Sequence, residues 1–140
     1  MAQSENVRDA MTGSATTASP DASIADAART MRDEDVAIIA VVDDEEELVG
    51  VITDRDIAIV VADGLDVDGT TVGDRMSDSP IAVGQNEDLE SAFQRMLSGD
   101  VHRAPVTDDG GHVSGMLEQS DAARSGEGRR AGDGGGQSGG

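Results

Sequence analysis

The sequence predicts an α+β fold made of two copies of a β-α-β-β-α unit packed as a pseudo-two-fold pair. Three observations carry this. Sliding the chain against itself by 65 residues brings 14 identities into 52 aligned positions without a gap, among them Val7 on Val72, Met31 on Met96, Asp35 on Asp100, Gly50 on Gly115 and Asp56 on Asp121. Such a period marks a repeated supersecondary unit, and a unit this short is too small to bury a core alone. Each copy also holds short β-branched runs bounded by turns, as buried strands do, and one stretch with apolar residues at helical spacing.

The elements follow in order. Each copy starts with a short leading segment, VRDAMT or VGDRMS, and then a few residues of β character at 15–19 and 81–84. A helix is expected over 24–32, with Ile24, Ala27, Ala28 and Met31 on one face; its counterpart carries Leu89, Ala92, Phe93, Met96 and Leu97. Ser23 and Asp26 have the spacing of a capping box. Two apolar runs come next, 36–42 and 48–52, joined by the acidic turn 43–47; the second copy has 101–107, a turn at 108–111, and 113–117. A second helix starts near Asp54 and near Ser120. The stretch 57–62 (IAIVVA) is apolar on every side, so more than one face must be covered, by the other repeat or by another chain. Met11, Met31, Met76 and Met96 recur at the repeat spacing as core fillers.

Composition bounds the function. The 140 residues hold 29 acidic and 10 basic side chains, a formal net charge of −19, with Phe93 the only aromatic and neither Cys nor Lys. Leu, Ile, Val and Phe make up 19%, the edge of disorder, but residues 125–140 hold 8 of the 18 glycines and none of these four. The expected organisation is therefore a first repeat at 7–64, a second at 70–124 and a disordered glycine-rich tail at 125–140. No Cys excludes disulfides and thiolate chemistry. No apolar run approaches the roughly 20 residues that span a bilayer, and the N-terminus lacks a secretory pattern, so the expected location is cytoplasmic. The charge and the single aromatic speak against nucleic acid and anionic membranes as partners. Acids spread along the whole chain read as adaptation to a salt-rich cytoplasm rather than as a cation site. His102 and His112 are too few for a His-based metal site, and the acidic turn 43–47 lacks the spaced pattern of a cation loop.

The segments MTGSATTASPDASIADAARTM and AVVDDEEELVGVITDRDIA, and in the second copy MSDSPIAVGQNEDLESAFQRM, VHRAPVTDDG and VSGMLEQSDAA, resemble a tandem pair of cystathionine-β-synthase (CBS) domains over residues 7–124. GVITDRDI carries the resemblance most specifically. It implies a stand-alone regulatory module without catalysis of its own. It further implies a homodimer that takes an adenosine-containing ligand, AMP, ADP, ATP or S-adenosylmethionine, in clefts between the repeats and signals to a regulated protein. A ligand-free protein-interaction module of the same fold is the alternative. The sequence has no nucleophile–base pair and no phosphate-loop motif to suggest an enzyme.

Candidate ligand residues are Ile38, Gly50, Thr53, Asp56, Arg103, Gly115, Ser120 and Asp121. In Gly50-Val-Ile-Thr53-Asp-Arg-Asp56 the glycine would let backbone approach a ligand, and the helix N-terminus with the Thr53 hydroxyl would favour a phosphate. The resemblance assigns Asp56 to ribose hydroxyls. The competing reading of Thr53 and Asp56 is a plain capping box. The second copy keeps Gly115, Ser120 and Asp121 but has Glu118 where Thr or Ser is typical, and a carboxylate there repels phosphate. Arg103 would meet a phosphate or form a salt bridge; its first-copy counterpart is the uncharged Ile38. With no aromatic to stack on, an adenine would lie between aliphatic residues such as Val36, Ile38, Val49 and Val51.

Overall fold

The computed structural model describes residues 5–123. The leading segments are short helices, α1 (Val7–Ala10) and α4 (Val72–Arg75). The first repeat continues with β1 (Thr17–Ala18), α2 (Ile24–Glu34), β2 (Ile38–Val42), β3 (Leu48–Thr53) and α3 (Asp54–Ala62). The second has β4 (Val83–Gly84), α5 (Leu89–Ser98), β5 (Arg103–Thr107) and β6 (Val113–Glu118), followed by helical residues 119–123. Two three-stranded sheets result, ordered β1-β2-β3 and β4-β5-β6. In each, the first pair is parallel, the second is an antiparallel hairpin, and a bulge falls at the same place, Val41/Val42 and Val106/Thr107. The predicted α+β repeat pair is the observed architecture.

The apolar runs at 36–42 and 101–107 start two residues before their strands. Val36 and Val101 close the preceding helices, their N–H groups donating to Met31 and Met96 carbonyls at 3.1 and 3.0 Å. The chain turns there through Asp35 and Asp100, at φ 59° and 57°. Aspartate is one of the few L-residues that tolerates this left-handed region, which accounts for its recurrence at the repeat spacing. At the start of α2 the capping box is only half built. Ser23 Oγ accepts from the Asp26 N–H at 3.0 Å, but the Asp26 carboxylate turns to Arg29 at 2.7 Å.

The leading helices cross over. Val7 and Ala10 of α1 are buried with Leu89, Met96, Val106 and Leu117 of the second repeat. Val72 of α4 is buried with Ile24, Val41, Ile52 and Val60 of the first. Backbone bonds hold both in place: Leu89 N–H to Glu5 O at 2.7 Å and Ile24 N–H to Thr70 O at 2.9 Å. The isolated bridges obey the same symmetry. Thr12 pairs with Met116 as Ser77 pairs with Val51, and Asn6 with Asp88 as Thr71 with Ser23. Glu47 bridges His112, its own counterpart, so the two hairpin turns meet on the pseudo-two-fold axis. Each repeat's core is thus finished by the other repeat's leading helix.

Helix α3 resolves the question of its all-round apolar surface. Val60 is fully buried and Ile57 packs against the first core, while Ile59 and Val61 are 37% and 62% exposed. Contact between the repeats leaves its outer face uncovered. No helix among the described residues is long and apolar enough to cross a membrane. The expected tail at 125–140 lies outside the described residues.

Candidate functional site: the cleft between the repeats

Where β2, β3 and the start of α3 face the 100–105 segment of the second repeat, a cavity of about 340 Å³ opens between the two units. Its apolar walls are Ile38 and Val51 on one side and Ile81, Val101 and Pro105 on the other. Thr53, Asp54 and Arg55 come from the β3–α3 junction, and Asp100, His102 and Arg103 from the β5 approach. A mostly aliphatic slot with a few converging polar groups is the usual build of a small-molecule site. Of the four aliphatic residues expected to hold a base, Ile38 and Val51 line this slot, whereas Val36 and Val49 pack into the first core.

The β3–α3 junction is held by a complete capping box. The Thr53 hydroxyl accepts from the Asp56 N–H at 3.3 Å, and Asp56 Oδ2 accepts from the Thr53 N–H at 2.8 Å and its hydroxyl at 3.1 Å. The capping arrangement is therefore realised, and Asp56 is not among the residues that line the cavity. Gly50 and Gly115 lie against the crossed-over leading segments. A Cβ on Gly50 would lie 2.6 Å from the Ser77 carbonyl and Met76 sulfur; on Gly115 it would lie 2.2 Å from the Thr12 carbonyl. These glycines let the crossed-over segments lie flat on β3 and β6.

Arg103 and Glu118, whose opposed charges pulled the sequence reading two ways, are cross-strand partners at the end of the β5–β6 hairpin. Arg103 Nε stands 3.6 Å from Glu118 Oε2, and both side chains are under half exposed, 42% and 45%. Their counterparts in the first repeat, Ile38 and Thr53, are paired in the same register and carry no charge. Glu118 and Arg103 border a second cavity of about 410 Å³, with Phe93, His102, Gln119, Ser120 and Ala123. Asp121 sits half-buried in the helical residues 119–123 and lines neither cavity. No group of three or more His, Asp or Glu side chains among the described residues is placed to hold a metal ion.

The CBS domain family matches residues 7–63 and again residues 72–128. The chain belongs to the CBS domain family. The CBS domain-containing protein YhcV of Bacillus subtilis is 36% identical over 119 residues, which cover 84% of this chain and 83% of that protein. An uncharacterized protein of Methanopyrus kandleri is 30% identical over 115 residues, and there the chain spans 56% of the relative's length. Among solved structures, the CBS domain pair of protein MJ0100, in complex with 5′-methylthioadenosine and S-adenosyl-L-methionine, aligns with TM-score 0.79 and 26% identity over 91% of this chain and 99% of that one. CBSX2 of Arabidopsis thaliana in complex with AMP aligns with TM-score 0.77 and 30% identity over 89% of this chain and 98% of that one. As a CBS pair, the chain is a regulatory, non-catalytic module.

Within the CBS pair, the structure brings Ile38, Thr53 and Arg103 to the first cavity and Arg103 and Ser120 to the second. It adds Ile81, Asp100 and His102, which the sequence reading passed over. His102 is the repeat counterpart of Ala37, which lines the same cavity, but nothing in the sequence marked either for the site. Ile81 had no signal either, since it reaches the site only through the crossing of the second leading segment.

Proposed function

We propose that this CBS pair senses an adenosine-containing ligand in the cleft between its repeats. The observation that carries the reading is the aliphatic cavity of about 340 Å³, shared by both repeats and bordered by the Thr53 helix start and the Arg103 guanidinium. A base fits between Ile38, Val51 and Val101, and the helix dipole at the α3 start favours a phosphate. The adenosine compounds bound to the MJ0100 pair and CBSX2 support the class. Because the cavity wall comes from two repeats, a bound ligand favours one arrangement of them over another, and a regulated protein reads the shift. Calorimetry against AMP, ADP, ATP and S-adenosylmethionine in molar KCl tests this; absence of heat with all of them sinks it.

The homodimer belongs to the same proposal. The exposed Ile59 and Val61 on α3, with Leu65 just beyond it at 40% exposure, supply an apolar face suited to a second copy. The net charge of −19 suits a salt-rich cytoplasm, where a bare acidic surface is screened within a few ångströms. A second reading, a ligand-free interaction module, is favoured by one observation: Asp56 and Arg103 are both already engaged within the fold. Co-purification with one partner, indifferent to every nucleotide above, is its signature.

A further inference from the structure

We propose that Gly99 is a positioning residue for the cleft: by lacking a side chain it seats Ile81, and the seat sets how bulky a base the cleft takes. This rests on the adenosine-ligand reading. Ile81 lines the first cavity and also a third one, of about 440 Å³, with Gln94, Arg95, Ser98 and Gly99. The two spaces meet at the end of α5, where Gly99 borders the third cavity and Asp100 the first. The backbone does not require glycine at 99. It closes α5 at φ −90° and ψ −1°, a conformation compatible with most residues, and the same place in the first repeat holds Glu34.

What glycine supplies is space. A Cβ at 99 would fall 1.9 Å from Ile81 Cδ1, the tip of the side chain, and 3.4 Å from Ile81 Cγ1. Ile81 therefore lies down on the bare end of α5. The chain beside it is tied to the same helix: the Arg95 guanidinium donates to the Ala82 carbonyl at 2.7 Å and to Glu87 at 2.9 Å. A side chain at 99 thus displaces the tip of Ile81 rather than its backbone. A methyl at 99 takes up space on the side of the third cavity, so the tip moves into the first. There Ile81 stands in one wall with Val101 and Pro105, across from Ile38 and Val51. These are the walls between which a base fits, and in a close-packed apolar slot one misplaced methyl decides what enters. The first-repeat counterparts, Thr16 and Glu34, lack this pairing of an aliphatic side chain with bare backbone.

The test is calorimetry on the full chain with AMP and CMP, which share ribose and phosphate and differ in the size of the base. In Gly99→Ala the affinity for AMP is expected to fall about tenfold with CMP unchanged, the low end of what one methylene does in an apolar pocket. Ile81→Val removes Cδ1, the one atom the new Cβ meets closely. Gly99→Ala/Ile81→Val is therefore expected to bind AMP as Ile81→Val alone does, the coupling that a double-mutant cycle reads. Unchanged AMP affinity in Gly99→Ala overturns the proposal. So do equal losses for AMP and CMP, which mark a general distortion, and a loss that persists in the double variant. If neither nucleotide binds, the adenosine reading falls, and the seat is judged in the ligand-free protein by methyl NMR. Nuclear Overhauser contacts from the Ile81 δ1 methyl to the Val51 and Val101 methyls are then expected to strengthen in Gly99→Ala. Unchanged contacts overturn the proposal.

Discussion

Gly50 and Gly115 show how a motif residue acquires its meaning. In sequence they open GVITDRD and GMLEQSD and invite a ligand-contact reading. In the fold each faces the carbonyl of a crossed-over segment, and that crossing is a long-range event no local pattern announces. Alanine at either position forces backbone apart, with an expected loss of about 1–3 kcal/mol in urea unfolding. A loss near zero would mean that the segments do not lie against β3 and β6. The capping box of Thr53 and Asp56 was legible because it is local, three residues wide. Thr53→Ala is expected to cost about 1 kcal/mol through the cap, and Thr53→Ser to restore it. Arg103 and Glu118 were each visible as charges, but their partnership needed the strand register, and register is fixed by packing rather than by the residues alone.

At the scale of elements, strands and helices were readable because their periods are local; the long strands start late where Asp35 and Asp100 turn the chain in the left-handed region, and the β segments expected at 15–19 and 81–84 shrink to Thr17–Ala18 and Val83–Gly84. The second repeat carries one electrostatic brace that the first lacks. Arg95 on α5 bonds Glu87 at 2.9 Å and the Ala82 carbonyl at 2.7 Å. Partial burial pushes the Glu87 carboxyl up, but the bonds from Arg95 and the Gly84 N–H outweigh it and hold the group below its ordinary 4.5. A depressed carboxyl stabilises the fold above its unfolded value, and that contribution is lost as pH falls through the lowered value. Glu87→Gln is therefore expected to unfold with a flatter pH dependence below about 4.5, followed by circular dichroism. Helix α3 supports a second prediction. Val61→Glu places a charge on the uncovered apolar face, and light scattering is expected to report half the mass of the natural protein. An unchanged mass would remove α3 from the interface.

The whole molecule is where the sequence reading was least complete. The repeat gave two units, but the packing units are not the sequence units: each borrows its first helix. A fragment covering residues 5–64 lacks Val72 and the α4 backbone, so its core stays open above Ile24 and Ile52. It is expected to be unfolded alone and to gain helical signal when mixed with the complementary fragment. A cooperative melt of the isolated fragment would contradict this. Within the full chain, Val7→Ala and Val72→Ala should each cost about 1–3 kcal/mol despite lying at the margins of their repeats, because both side chains are fully enclosed.

The crossing also dictates an order of events during synthesis. Helix α1 is made well before the core that receives it, which includes Leu117 at the end of β6. The first repeat can close once residue 76 has left the ribosome, whereas the opening residues must wait for almost the whole described chain. Until then Val7 and Ala10 stay uncovered, open to proteases and to the wrong neighbour. Nascent chains stalled with residue 76 just clear of the ribosome are expected to show a protected middle and a cleavable start, with protection reaching Val7 only after β6 has emerged.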